Sequence, residues 1–306
     1  MRWAMTNAWY FQDSCSGIMR QPIALPNESM FNLRRHVLSP VKSSLRDLWM
    51  GTRDWLDATF GLGAPLTPPR RLVWSIGGNF DEAGKAYFNY FKTLGQLTPD
   101  QSVLDVGCGV GRMAVPLTEY LSPKGRYEGF DIMENVVAWC SKNITPRFPN
   151  FRFQWVQIYN KEYNTRATVQ ARDFTFPYAD ASFDFVFATS VFTHMYEADI
   201  ANYMKEISRV MKPGGRCLLS WFVLTPQALE PMKAGKAALN FAYPVDTAFT
   251  ARLDIPEWAI AFSSETIDKL YRESGFPAPI WYPGNWSTAH ATDNYQDFYV
   301  AEKPLG

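Results

Sequence analysis

Val103-Leu104-Asp105-Val106-Gly107-Cys108-Gly109-Val110-Gly111-Arg112 runs from an apolar strand through three glycines at every second position into the start of a helix. The glycines let the backbone bend tightly and let a ligand approach it closely. The helix that follows opens with unpaired backbone N–H groups. The spacing is not that of a dinucleotide-binding turn, which needs its third glycine three residues after the second. Arg112 stands there instead, and the third glycine comes early, at Gly111. Asp105 precedes the loop. A fixed carboxylate there repels a pyrophosphate and suits a cationic amino group, so Asp-x-Gly-x-Gly-x-Gly fits a ligand ending in an aminocarboxylate. The same spacing disfavours an NAD-dependent dehydrogenase.

Outward from this loop, strand and helix patterns alternate. Strands are expected at Ser102–Val106, Gly125–Asp131, Phe151–Gln157, Phe183–Thr189 and Gly215–Leu224, and helices at Asp81–Leu94, Arg112–Leu121, Met133–Asn143 and Ala198–Met211. The last helix carries Ile200, Tyr203, Met204, Ile207 and Val210 on one face. Two tail strands follow, at Pro279–Trp286 and Tyr295–Ala301. The alternation predicts an α/β fold: a Rossmann-like, doubly wound, mostly parallel seven-stranded sheet closed by a C-terminal antiparallel hairpin. Residues 1–79 read as a helical attachment, with an amphipathic helix over Pro40–Phe60 and a Gly/Pro-rich linker over Gly61–Arg71. An inserted segment, about 225–263, reads as a lid whose residues Gln227–Asn240 form a helix.

Three companions accompany the loop. Asp131 ends the next strand about 20 residues on, where an acid accepts from ribose hydroxyls or caps the helix that follows. Arg172-Asp173-Phe174 precedes Phe176-Pro177-Tyr178. Arg209-Val210-Met211-Lys212-Pro213-Gly214-Gly215 ends a helix and turns into a strand. With these motifs in this order, residues Gln101–Leu224 resemble the class I S-adenosylmethionine-dependent methyltransferases of small-molecule type. The resemblance implies that S-adenosyl-L-methionine is the cofactor and S-adenosyl-L-homocysteine the product. It implies that Asp105, Gly107, Cys108, Gly109 and Gly111 surround the methionine part. Asp131 would hold the ribose, Ile132 the adenine, Asp173 and Phe174 the adenine edge and face, and Ser190 and Val191 the floor under the sulfonium. In many relatives the acid stands one residue earlier, where this chain has Arg172. Some relatives that methylate quinone precursors hold a metal with acids in the loop after the fourth strand. Ser190 and Thr193 occupy those places here without charge, so no metal is expected.

That loop, Thr189-Ser190-Val191-Phe192-Thr193-His194-Met195-Tyr196, should lie beside the transferred methyl. Methyl transfer depends on holding nucleophile and methyl in line, with a base only where a proton must leave. His194 is the first candidate for that base and Tyr196 and His290 are the others, with the alternative that His194 only holds the loop. The substrate chamber is expected from residues 1–80, the insertion and the tail, which carry Trp74, Phe80, Trp221, Phe222, Phe241, Tyr243, Trp258, Trp281, Tyr282 and Trp286. These rings either line a pocket for an organic molecule or pack the lid onto the body. The expected function is O-methylation of a small or medium specialised metabolite or sugar. The alternatives are C- or N-methylation of a metabolite or lipid-like substrate, and a non-catalytic cofactor-binding or scaffold protein.

Composition narrows the partners. The 306 residues balance 30 Lys and Arg against 30 Asp and Glu, so no basic surface marks a nucleic-acid partner. Cys15, Cys108, Cys140 and Cys217 are scattered, which suits reduced thiols and a cytoplasmic protein. Met1–Tyr10 lack the pattern of a secretory signal, and the longest apolar run, around Leu218–Leu224, is too short to span a bilayer. A small-molecule substrate is the expected partner, and the amphipathic N-terminal helix admits a peripheral membrane contact.

Overall fold

A computed structural model of the protein describes residues 47–57, 59–62 and 65–305. The chain divides into two units, Met1–Thr52 and Arg53–Gly306. In the first, the described residues 47–52 are helical. In the second, residues 53–57 and 59–60 are helical too, while 40–46 of the expected N-terminal helix lie outside the described residues. The second unit continues with α1 (Arg70–Ile76), α2 (Phe80–Thr93), β1 (Ser102–Val106), α3 (Ala114–Thr118), β2 (Arg126–Asp131), α4 (Glu134–Asn143), β3 (Phe151–Trp155), β4 (Phe183–Ala188), α5 (Glu197–Val210) and β5 (Met211–Trp221). The insertion supplies β6 (Val223–Leu224), α6 (Pro226–Lys233), β7 (Tyr243–Val245), β8 (Ala248–Thr250) and β9 (Ile260–Ser263). The chain ends on α7 (Ser264–Glu273), β10 (Ile280–Tyr282) and β11 (Asp297–Glu302).

The main sheet has seven strands in the order β10-β11-β5-β4-β1-β2-β3. Strands β1 to β5 run parallel, and β11 lies antiparallel between β5 and β10. The chain is therefore a Rossmann-like α/β protein with a closing antiparallel hairpin. Strand β1 shows no alternation because helices cover both faces of a parallel sheet: Val103, Leu104, Asp105 and Val106 are all buried. Helix α5 turns Ile200, Tyr203, Met204, Ile207 and Val210 to the core as the 3.6-residue period demands. Each such large apolar side chain contributes about 1.5–3 kcal/mol by its burial. Asn79 starts α2 by accepting from the N–H groups of Asp81 and Glu82 at 3.1 and 3.2 Å.

Local chemistry moved several boundaries. The linker expected up to Arg71 gives way to α1 at Arg70, whose N–H donates to Asp54 Oδ1 at 2.9 Å while its guanidinium pairs with Asp54 and Asp57. The helix expected over Arg112–Leu121 is regular only over Ala114–Thr118. The lid helix expected over Gln227–Asn240 begins at Pro226 under a Thr225 cap and stops by Gly235, which takes φ +67°. The insertion is otherwise a second sheet, β6-β9-β8-β7. Helix α7 was not anticipated. Its stripe of Ile267, Leu270 and Tyr271 packs against the main core. Cys108, Cys140 and Cys217 are free and buried, and Cys15 lies outside the described residues. Among the described residues no helix is long and apolar enough to cross a membrane.

Candidate functional site

A cleft opens at the carboxyl ends of β1, β2 and β4, where the chain leaves β1 towards one side of the sheet and β4 towards the other. Ligands of open α/β sheets bind at such switch points. Its empty space is about 1130 Å³ with the open mouth included. Gly107, Cys108 and Gly109 line it from the loop after β1, Asp131 and Ile132 from the end of β2, and Ser190, Val191 and His194 from the loop after β4. These sequence-predicted residues, far apart in the chain, are brought together.

The first two loops are locked to one another. Gly107 and Cys108 both donate their N–H to the Phe130 carbonyl, at 2.9 and 3.0 Å. Gly107 takes φ +81°, and a Cβ on it would lie 2.4 Å from Val191 Cγ2, so only glycine lets the loops after β1 and β4 meet. Asp131 Oδ2 accepts from Gly109 N–H at 2.8 Å and its Oδ1 from Met133 N–H at 2.8 Å. It thus clamps the glycine loop and caps the entry to α4 at once. Burial pushes its carboxyl up, against the pull of these N–H donors.

Six predicted residues do not line the cleft. Asp105 lies beneath the glycine loop, 1% exposed. Tyr127 OH donates to its Oδ2, its Oδ1 has no partner, and burial pushes the carboxyl up to about 8. An open acceptor under this loop fits the ammonium end of an amino-acid ligand. Gly111 takes φ +74° and makes room for Ile144 and Cys140 of the α4 layer, its Cβ position being 2.9 Å from Ile144 Cδ1. Asp173 is exposed on a 3-10 turn. Phe174 turns inward against Phe130 and Phe176, with ring centroids 6.0 and 5.9 Å away. Tyr196 caps α5 instead, and burial pushes its hydroxyl up to about 12. His290 sits edge-on to Trp281 in the tail, away from the cleft lining.

His194 is held from two sides. Its Nδ1 lies 2.8 Å from the Glu257 carbonyl, which only accepts, so Nδ1 carries the proton and Nε2 the lone pair. Tyr163 meets its ring edge-on at 5.4 Å, and Asn160 Nδ2 donates to its carbonyl at 3.2 Å. Burial lowers its pKa below the usual histidine value. Glu257 also accepts the Lys161 N–H on Oε1 at 3.2 Å, so one buried turn of the insertion braces both the histidine and the loop after β3. Ser190 is left-handed at φ +56°, an uncommon conformation for a residue with a side chain. It is held there because its N–H donates to Ser220 Oγ at 2.7 Å. Both serine hydroxyls donate to Gln296 Oε1, at 3.0 and 2.7 Å.

Sequence reasoning missed several wall residues: Tyr87 of α2, Ile76 of α1, Arg112, and Tyr159, Asn160 and Tyr163 after β3. The aromatic and polar run just past a strand's carboxyl end was the signal for the last three. None of the ten aromatics expected to line a chamber faces this cleft. Phe222, Phe241 and Trp286 pack together under the insertion, and Trp221 packs on Phe192, Phe262 and Tyr271. Among the described residues no group of His, Cys, Asp or Glu is placed to hold a metal ion.

Residues 104–219 match the family model "Methyltransferase domain". The chain is 32% identical over 116 residues to a demethylmenaquinone methyltransferase of Halalkalibacterium halodurans, covering 38% of this chain and 41% of that one. It is 28% identical over 228 residues to an uncharacterized 37.1 kDa protein of a Streptomyces fradiae transposon, covering 74% and 55%. The chain thus spans about half the length, or less, of these curated relatives. A solved structure of a putative O-methyltransferase from Nostoc punctiforme shares the fold, with a TM-score of 0.51 at 13% identity, covering 73% of this chain and 56% of that one.

Proposed function

We propose, from the match of residues 104–219 to the methyltransferase-domain model and the geometry of the cleft, that the protein is a class I S-adenosylmethionine-dependent methyltransferase that O-methylates a small hydroxylated organic molecule. The observation that carries the proposal is His194: a half-buried imidazole on the cleft wall whose Nδ1–H is committed to the Glu257 carbonyl, which puts the lone pair on Nε2. S-adenosylmethionine, when bound, supplies a methyl group on a positively charged sulfur. Gly107, Cys108, Gly109, Asp131, Ile132, Ser190 and Val191 hold it from the walls and Asp105 from beneath, while Gly111 and Phe174 serve the site by packing. The attacking hydroxyl must lose its proton as it bonds to carbon, and Nε2 of His194 takes it. Tyr87, Tyr159, Tyr163 and Ile76 offer the acceptor an apolar, aromatic wall. Ile76 and Glu257 support the division into a cap before Phe80 and a lid at about 225–263.

The test is formation of S-adenosylhomocysteine with a panel of hydroxylated compounds by wild type and His194→Ala. The variant should lose about 10²–10⁴-fold in turnover. It should also lose the acidic limb of the pH profile that the depressed histidine pKa places below about 6.5. Undiminished turnover with the limb intact would remove His194 as the base. A second reading, C-methylation of a metabolite or lipid-like acceptor, is supported by the resemblance to a demethylmenaquinone methyltransferase. The position of the new methyl in the product, read by NMR, separates the two.

A further inference from the structure

No residue of the insertion lines the cleft, yet its Pro256–Trp258 turn, between β8 and β9, touches two pieces of the cleft wall. Glu257 in that turn is buried. Its carbonyl holds His194 Nδ1, and its side chain reaches the N–H of Lys161, 96 positions earlier in the chain. Taking a carboxylate out of water is costly, and an apolar side chain of similar volume would fill the same space with less penalty. The N–H it accepts, rather than packing, therefore explains the acid. That N–H belongs to a closed loop tip after β3. Asn160 and Asn164 exchange both backbone hydrogen bonds, at 3.1 and 3.0 Å. Asn160 Oδ1 accepts from the N–H groups of Glu162 and Tyr163 at 2.9 and 3.0 Å, and its Nδ2 donates to the His194 carbonyl. Lys161 Nζ adds a bond to the Asp254 carbonyl at 3.0 Å. A tip closed in this way moves as one piece, and Asn160 and Tyr163 of the cleft wall move with it. On its other side the turn is fixed to β8, where the buried Thr250 hydroxyl lies 2.8 and 3.0 Å from the carbonyls of Pro256 and Ala259.

We propose that Glu257 is a positioning residue for the proton transfer: with its side chain on Lys161 and its carbonyl on His194, it sets the tautomer of the imidazole and the gap between Nε2 and the wall formed by Asn160 and Tyr163. The proposal rests on the reading of His194 as the proton acceptor. A neutral imidazole whose Nδ1–H is not held shares its proton between the two nitrogens, and the form protonated on Nε2 cannot accept there. A turn held by Thr250 alone can also drift from the loop tip, and an ångström of misplacement between reacting groups costs about 10²-fold in rate. The insertion thus takes part in the reaction through the frame it gives the base, although its aromatic rings stay out of the cleft.

The test compares the full chain with Glu257→Leu, Glu257→Asp and Glu257→Gln, each with and without S-adenosylhomocysteine. Nitrogen-15 NMR of the imidazole rings reads the tautomer. The chain has three histidines, and the spectrum of His194→Ala identifies the signals of His194. Glu257→Leu removes the acceptor, and Glu257→Asp keeps the charge but falls a methylene short of Lys161. Both should move the His194 ring nitrogens towards a mixed tautomer. Both should also lower turnover of the hydroxylated compound found by the panel, by roughly 10- to 100-fold. Glu257→Gln offers an accepting oxygen at the same reach, and should keep the wild-type ring signals and recover most of the turnover. Melting curves separate loss of fold from loss of position, and Glu257→Asp decides if Glu257→Leu does not fold. Unchanged His194 signals in Glu257→Asp and in folded Glu257→Leu overturn the proposal and leave the acid as a brace for the loop after β3. Glu257→Gln behaving like Glu257→Leu overturns it as well, because the charge and not the hydrogen bond would then be at work. If His194→Ala turns over like wild type, the reading of His194 as the base fails instead, and the ring signals still decide whether Glu257 sets its tautomer.

Discussion

Replacing Asp297 with alanine should cost more stability than any other single polar truncation in the tail. The carboxylate is 2% exposed and accepts four hydrogen bonds: from Trp281 Nε1 and Gly284 N–H on Oδ1 at 3.1 and 2.9 Å, and from Trp286 Nε1 and Val223 N–H on Oδ2 at 2.7 and 3.0 Å. Three of those donors belong to buried residues, and each orphaned buried donor costs about 1–3 kcal/mol. Relief of the buried charge, seen in a carboxyl pKa raised by burial, offsets part of that, leaving a net loss of about 3–5 kcal/mol. For a unit of this size a kcal/mol shifts the melting temperature by about 2–4 °C, so Asp297→Ala should melt roughly 10 °C below wild type. Asp297→Asn keeps one accepting oxygen but sets an NH2 donor against the other two N–H groups, and should lose about half as much. Thermal unfolding followed by circular dichroism reads both. An alanine variant melting within about 2 °C of wild type would refute the reasoning that this carboxylate organises the tail.

Gly107→Ala should lower affinity for S-adenosylhomocysteine at least ~10-fold and destabilise the fold by about 1–2 kcal/mol from the left-handed backbone alone. Val191→Ala in the same chain should restore part of the stability, because Val191 is what the new methyl meets. Asp105 holds a proton in the folded state up to about pH 8 that its unfolded form releases near 3.8. Folded stability should therefore fall as pH rises through that window, by up to about 1.4 kcal/mol per pH unit, and Asp105→Asn should flatten the slope. Urea unfolding of both proteins at pH 5 and pH 7.5 checks it, and parallel slopes would count against the assignment.

The sheet was legible because β1, β2 and β4 are apolar runs ending at a glycine loop, an acid and a small-residue loop, and because α5 keeps a strict apolar stripe. The same one-dimensional patterns could not resolve what the tertiary contacts decide. Asp173 looked like a ligand contact by position, but its turn faces solvent. Asp131 had two readings, ribose acceptor and helix cap, and its two oxygens now serve the glycine loop and the cap. Helix α7 carried a readable start, with Ser263 accepting from Thr266 N–H before Ile267, but it was hidden behind a boundary set for the lid. The chamber aromatics misled because large rings satisfy a core and a pocket equally well in sequence. Gln296 left no signal at all, since its role exists only through Ser190 and Ser220.

Ser190 and Gln296 stand 106 positions apart, so the entropy of closing that long loop must be met before their contact rewards it. On the ribosome, the glycine loop, Asp131 and the loop after β4 have all emerged long before the amide that pins Ser190 is made. A growing chain can thus have its β1, β2 and β4 ends assembled while the floor between them is still free to relax out of its left-handed turn. The floor of the cleft is therefore pinned only once Gln296 has been made, although the loops around it are translated more than a hundred residues earlier.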